Sequence, residues 1–129
     1  DAVLRAVAGS LTATVRPADV LARTGGEELV VLGMVSDSHE ATRLAERLRS
    51  AVARTHTDDG HTVTASVGIA LARPVDGENA TDALWRLVDR ADAAMYDAKK
   101  QGRDRVAAFR VPRARSPHTD EQPAVSDIG

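Results

Sequence analysis

Residues 23–32 read Arg23-Thr24-Gly25-Gly26-Glu27-Glu28-Leu29-Val30-Val31-Leu32. Two glycines accept backbone angles other residues avoid, so Gly25-Gly26 reads as a tight hairpin turn. An apolar strand follows it. Side chains alternate across a strand, so Glu27 and Glu28 point to opposite faces. One of them can aim at a group docked over the turn, and carboxylate oxygens suit Mg²⁺ and its phosphate ligands. An ordinary hairpin with solvated charges has the same look, and this stretch alone leaves both readings open.

Working outward, Asp1 to Thr14 carries Val3, Leu4, Val7, Ala8 and Leu11 at helical spacing, and Pro17 closes it. Val20–Arg23 and Leu29–Met34 form the arms of the hairpin. Ser36-Asp37-Ser38 opens a second helix, with Asp37 and Glu40 at capping-box spacing and a stripe of Ala41, Leu44, Ala45, Leu48 and Val52. Thr62–Leu71 alternates as a half-buried strand whose inner face is Val63, Ala65, Val67, Ile69 and Leu71. Thr81–Gln101 reads as a long helix stopped by Gly102, and Val106–Phe109 as a last strand. Residues 110–129 hold three of the five prolines and show no period, so they read as a disordered tail after a unit spanning 1–109. The order α-β-β-α-β-α-β predicts an α+β fold, a mainly antiparallel sheet flanked by helices.

Composition narrows the classes. The 129 residues suffice for one core, and with one Phe, one Trp and one Tyr that core must be built from Val, Leu and Ala. The chain has no Cys, which excludes disulfides and thiolate metal sites. A formal charge of −2 points to no nucleic-acid partner. No apolar run approaches the ~20 residues of a membrane span, so this segment is expected to make no membrane contact. The chain opens at Asp1 rather than Met and reads as a piece of a longer protein. The four histidines show no ligand spacing, and Trp85 reads as packing.

Four motifs together resemble the GGDEF family of diguanylate cyclases over Asp1 to about Phe109. Gly25-Gly26-Glu27-Glu28-Leu29 resembles the name-giving motif, with Leu where Phe is usual. Arg16-Pro17-Ala18-Asp19 resembles its RxxD motif. Ala65-Ser66-Val67-Gly68-Ile69-Ala70 resembles its inner strand. Ala91-Asp92-Ala93-Ala94-Met95-Tyr96-Asp97-Ala98-Lys99, then Gly102-Arg103, resembles its last helix.

The resemblance implies a palm-like nucleotidyl-cyclase domain that binds GTP with Mg²⁺ or Mn²⁺ and works as a homodimer, joining two GTP into cyclic di-GMP with release of pyrophosphate. It implies that Glu27 and Glu28 are catalytic metal ligands, that Gly25 and Gly26 admit the nucleotide, that Asp1 reads guanine, and that Lys99 and Arg103 hold terminal phosphates. Arg16 and Asp19, assisted by Arg47, match a site where cyclic di-GMP inhibits. Read without the family, Lys99 and Arg103 are cations complementing a helix C-terminus, and Arg16 with Asp19 is a turn with an ion pair. The family also has a strand with a metal-binding Asp and a helix with a guanine-binding Asn, which would precede Asp1. Their loss predicts an inactive, weakly stable fragment in which Val63, Val67 and Ile69 lose cover. The implied setting is a cytoplasmic domain, with any membrane anchor elsewhere in the protein. Two alternatives stand beside the enzyme: a non-catalytic cyclic di-GMP receptor using Arg16 and Asp19, and a palm-type cyclase with another substrate.

Overall fold

A computed structural model describes residues 2–110 and 122–129. The elements in chain order are α1 (Ala2–Thr14), β1 (Val20–Gly25), β2 (Glu28–Val35), α2 (Ser38–Ala53), β3 (Ser66–Leu71), α3 (Ala80–Lys100), β4 (Arg105–Ala108) and β5 (Gln122–Ile128). The helix starts follow their caps. Asp37 accepts the Glu40 N–H at 2.8 Å and Asn79 accepts the Asp82 N–H at 3.1 Å, each satisfying a donor the helix leaves orphaned.

The five strands lie in the order β1-β2-β5-β3-β4. Every ladder is antiparallel except β3 with β4, which matches the expected α+β, mainly antiparallel sheet. Two layers of helix cover it. Val7 and Leu11 of α1 and Leu44, Leu48 and Val52 of α2 pack on Leu29, Val31, Val67 and Ile69. Leu87 and Ala91 of α3 pack on Val30, Ala70 and Val125 on the other face. Residues 66–70 of β3 are all buried, because this strand is covered on both faces rather than on one. Gly68 is where α3 comes closest, and a Cβ there would stand 2.0 Å from the Ala91 carbonyl oxygen.

Three further expectations change. The tail assignment does not hold for residues 122–129, because β5 lies in mid-sheet, with Val30 opposite Asp127 on one side and Gly68 opposite Asp127 on the other; residues 111–121 lie outside the described residues. Pro123, Ser126 and Asp127 give the segment the composition of a loop, but Ala124, Val125 and Ile128 are buried, and Pro123 sits near the strand's start, where a missing N–H costs least. For the same reason Val67 and Ile69 do not lose their cover; they are 0% and 1% exposed. Trp85 is exposed rather than packed. Asp1 lies outside the described residues.

Candidate active-site cleft

The glycine turn is open. Gly26 takes φ 50°, in the left-handed region that favours glycine, and Arg23 Nε donates to its carbonyl at 2.9 Å, fixing the tip. A Cβ built on Gly25 or Gly26 meets nothing within 4 Å, so the backbone here is free to be approached. The register slips between Arg23 and Gly25, and from that bulge β2 starts with Glu28 half-buried while Glu27 stays exposed on the rim.

Alternation decides which glutamate meets other carboxylates. Glu28 turns toward α3, and its ligand oxygen lies within 4.8 Å of those of Asp92 and Asp127. Asp127 is 1% exposed, and its Oδ1 has no hydrogen-bond partner among the described residues. Burial first, then the carboxylates of Asp92 and Glu28, pushes the Asp127 carboxyl up to about 7, with Lys99 acting against them. Three convergent carboxylates with an orphaned buried oxygen form an all-oxygen donor set, and such a set fits a hard divalent cation. A bound cation would reverse the electrostatics that raise Asp127.

Gly25, Gly26, Glu27, Glu28, Lys99 and Gly129 line one cleft of about 410 Å³. Lys99 reaches it from the last turn of α3. Arg103 does not join it; this exposed residue lies past the helix at φ 65°. The structure thus gathers Gly25, Gly26, Glu27, Glu28 and Lys99, and adds Asp92 and Asp127. Sequence reading takes Asp92 as a residue facing solvent or a neighbouring Arg, and the structure instead places it beside Glu28 and Asp127; the signal that could have found it is its seven-residue spacing from Lys99, which puts both on one helix stripe. The signal for Asp127 was its apolar flanks, Val125 and Ile128.

The RxxD residues form a separate network. Arg16 donates from Nε and Nη2 to Asp19, from Nη1 to Glu40 at 2.8 Å and from Nη2 to the Met34 carbonyl at 2.8 Å. The hydrogen bond to Asp19 leads in raising the guanidinium pKa. The Asp19 side chain is 2% exposed. Gly33 makes room for the pair, since a Cβ there would lie 2.3 Å from Asp19 Oδ1. Arg47, on α2, is outside this network; its Nη2 donates to the Thr14 carbonyl at 3.5 Å, and it lines a shelf with Thr14, Arg49, Ser50 and Arg54.

A family model described as "Diguanylate cyclase, GGDEF domain" matches residues 1–105. The chain is 39% identical over 109 residues to diguanylate cyclase DgcP of Pseudomonas aeruginosa, covering 82% of this chain and 15% of that protein. It is 38% identical over 109 residues to probable diguanylate cyclase DgcT of Escherichia coli, covering 82% of this chain and 24% of that protein. The chain therefore spans a quarter or less of either relative. Its fold is similar to the crystal structure of the GGDEF domain of YfiN (TpbB) from Pseudomonas aeruginosa, with TM-score 0.68, 31% identity, and coverage of 86% of this chain and 68% of that one. Among the described residues, no helix is long and apolar enough to cross a membrane.

Proposed function

The chain belongs to the GGDEF family, and from that premise we propose that it is the catalytic domain of a diguanylate cyclase that condenses two GTP into cyclic di-GMP as a homodimer. The observation that carries this reading is the convergence of an open glycine turn, Glu28 and Lys99 at one cleft, with Glu28 joined to the carboxylates of Asp92 and Asp127.

In this reading the Gly25-Gly26 backbone admits the nucleotide and Lys99 neutralises its terminal phosphates, with Arg103 assisting once its side chain swings in. Asp1 accepts from guanine N–H groups, which adenine does not offer in that pattern. Glu28, Asp92 and Asp127 would hold Mg²⁺ or Mn²⁺. When bound, such a cation supplies charge neutralisation at the reacting phosphate. Glu27, across the strand from that cluster, faces the cleft as a free carboxylate and takes the proton from the attacking 3′-hydroxyl. The hydroxyl oxygen bonds to the α-phosphorus of the GTP on the facing domain, the bond to the β-phosphate bridging oxygen breaks, and pyrophosphate leaves. The reciprocal step closes the ring. Positioning by two facing clefts contributes much of the acceleration.

Product inhibition at Arg16 and Asp19, with Arg47 assisting, belongs to the same proposal. The Arg16 fork is already engaged with Asp19, Glu40 and Met34, so cyclic di-GMP must displace Glu40 to bind there. Glu27, Glu28 and Lys99 gathered at the cleft favour the enzyme over a receptor built on the same motif, which has no need of them. Glu27→Gln in the full-length protein tests the reading. Cyclic di-GMP synthesis is expected to fall by roughly 10²–10⁴ with the melting temperature retained; near-normal turnover would overturn the role of Glu27.

A further inference from the structure

We propose that Arg49 and Asp104 are positioning residues for the phosphate grip: their ion pair holds the turn after α3 in left-handed backbone and so fixes where Arg103 stands relative to Lys99. The inference rests on the part of the proposed function that assigns the terminal phosphates to Lys99 and Arg103.

The end of α3 departs from an ordinary helix stop. The Gly102 N–H donates to the Lys99 carbonyl at 3.4 Å, and the Arg103 N–H to the Ala98 carbonyl at 3.0 Å. These two hydrogen bonds close a helix with a single left-handed residue. Gly102, at φ 126°, supplies that residue. Arg103 at φ 65° and Asp104 at φ 45° then stay in the left-handed region, and among the described residues they are the only non-glycines there. Such backbone costs free energy for any residue with a Cβ; Asp tolerates it, whereas Arg has no preference for it. Residues persist in it where surrounding groups hold them, and such places gather at working sites.

The holding groups are identifiable. From α2, Arg49 Nη1 donates to Asp104 Oδ1 at 2.7 Å. Glu46 aims this guanidinium, accepting from Arg49 Nε at 3.0 Å. From β4, Arg105 Nε donates to the Arg103 carbonyl at 3.0 Å. The turn is thus tied to a helix on one side and a strand on the other. Asp104 is exposed, and an exposed ion pair adds little stability, so the consequence of this one lies in the backbone it fixes. Arg103 is the residue in that turn whose charge and fork suit a phosphate. Its backbone is bonded to Ala98, beside Lys99, which lines the cleft. Released from Asp104, the turn can relax toward ordinary backbone angles. Arg103 then loses its fixed place, and each binding event has to restore it.

The test measures binding of GDP and of GMP to the full-length protein by calorimetry with Mg²⁺ present. GDP carries a terminal phosphate beyond the α-phosphate, GMP does not, and neither can release pyrophosphate. Arg49→Ala and Asp104→Ala should each weaken GDP by about tenfold, the scale of one left-handed residue's cost. GMP affinity and melting temperature should stay as in the wild type. Asp104→Asn should keep wild-type GDP affinity, because its amide oxygen still accepts from Arg49 and Asn tolerates left-handed backbone. In an Arg103→Ala background, Arg49→Ala should weaken GDP no further, since it acts through Arg103. Unchanged GDP affinity in both alanine variants overturns the inference. So does equal weakening of GDP and GMP, or a full additional loss on top of Arg103→Ala. If Arg103→Ala itself leaves GDP binding intact, the phosphate role of Arg103 falls and the inference falls with it. If Arg103→Ala weakens GDP and Arg49→Ala does not, the inference falls alone. GDP affinities that follow the expected cycle in a protein that makes no cyclic di-GMP from GTP uphold the inference and sink the cyclase reading alone.

Discussion

Replacing Gly68 with alanine probes the contact on which sheet, helix and site all depend. A Cβ at this position would stand 2.0 Å from Ala91 O, 2.3 Å from Met95 N and 2.9 Å from Met95 Cα. Ordinary contacts start near 3.4 Å, so α3 must retreat by more than 1 Å. All three atoms are backbone, and no side chain can rotate to relieve them. Overpacking costs about 1–3 kcal/mol, and this site belongs at or above the upper end. A loss near 3 kcal/mol is a large part of the roughly 5–15 kcal/mol that holds a domain together. It should lower the melting temperature by about 10 °C or more. The retreat also carries Asp92 and Lys99 away from Glu28 and Asp127, so cation affinity should fall with stability. Urea unfolding with parallel Mn²⁺ titration measures both. Gly9→Ala is the control: this exposed glycine in α1 has nothing within 4 Å of an added Cβ, so alanine should stabilise by about 0.5–1 kcal/mol. A Gly68→Ala variant that unfolds at the wild-type midpoint would refute the reasoning.

Three further outcomes are expected. The folded-state pKa of Asp127 is raised from 3.8 to about 7, so its stabilising protonated form is fully present below about pH 4 and lost as pH rises to about 7. In the absence of divalent cations Asp127→Asn should therefore gain on the wild type across that window by an amount on the order of 4 kcal/mol; a gap that stays constant with pH would contradict the burial argument. Arg16→Ala leaves the Asp19 carboxylate buried with its fork partner gone and should destabilise by about 2 kcal/mol, read as a shift in urea midpoint; no shift would mean the pair contributes nothing to the fold. The same variant, assayed where it is folded, should be released from cyclic di-GMP inhibition, and equal inhibition of variant and wild type would make Arg16 a purely structural residue.

Most of the architecture was legible because it rests on local signals. The stripe Ala41, Leu44, Ala45, Leu48 and Val52 is buried as its spacing requires, and the Gly25-Gly26 turn joins the arms expected of it. β5 was not legible, since Pro123, Ser126 and Asp127 give a sheet-centre strand the composition of a loop. Its pairing is set by long-range ladders to β2 and β3, which no window of sequence displays. The site was legible as residue types and only partly as geometry. Both glutamates were singled out together, but it is strand alternation after the bulge that sends Glu28 to Asp92 and Asp127 and leaves Glu27 on the rim. Arg16 and Asp19 were read as a ligand-facing pair, and their burial against Glu40 and Met34 depends on a neighbour, Gly33, that spacing does not reveal.

The most direct test of the central claim is the product the full-length protein makes from GTP and Mg²⁺, identified by mass spectrometry for the wild type and for Glu28→Gln. The account predicts cyclic di-GMP with two pyrophosphates per molecule from GTP, none of the corresponding product from ATP, and a loss of about 100-fold or more in Glu28→Gln without loss of fold. Absence of cyclic di-GMP from the folded wild type, or its undiminished synthesis by Glu28→Gln, would contradict it.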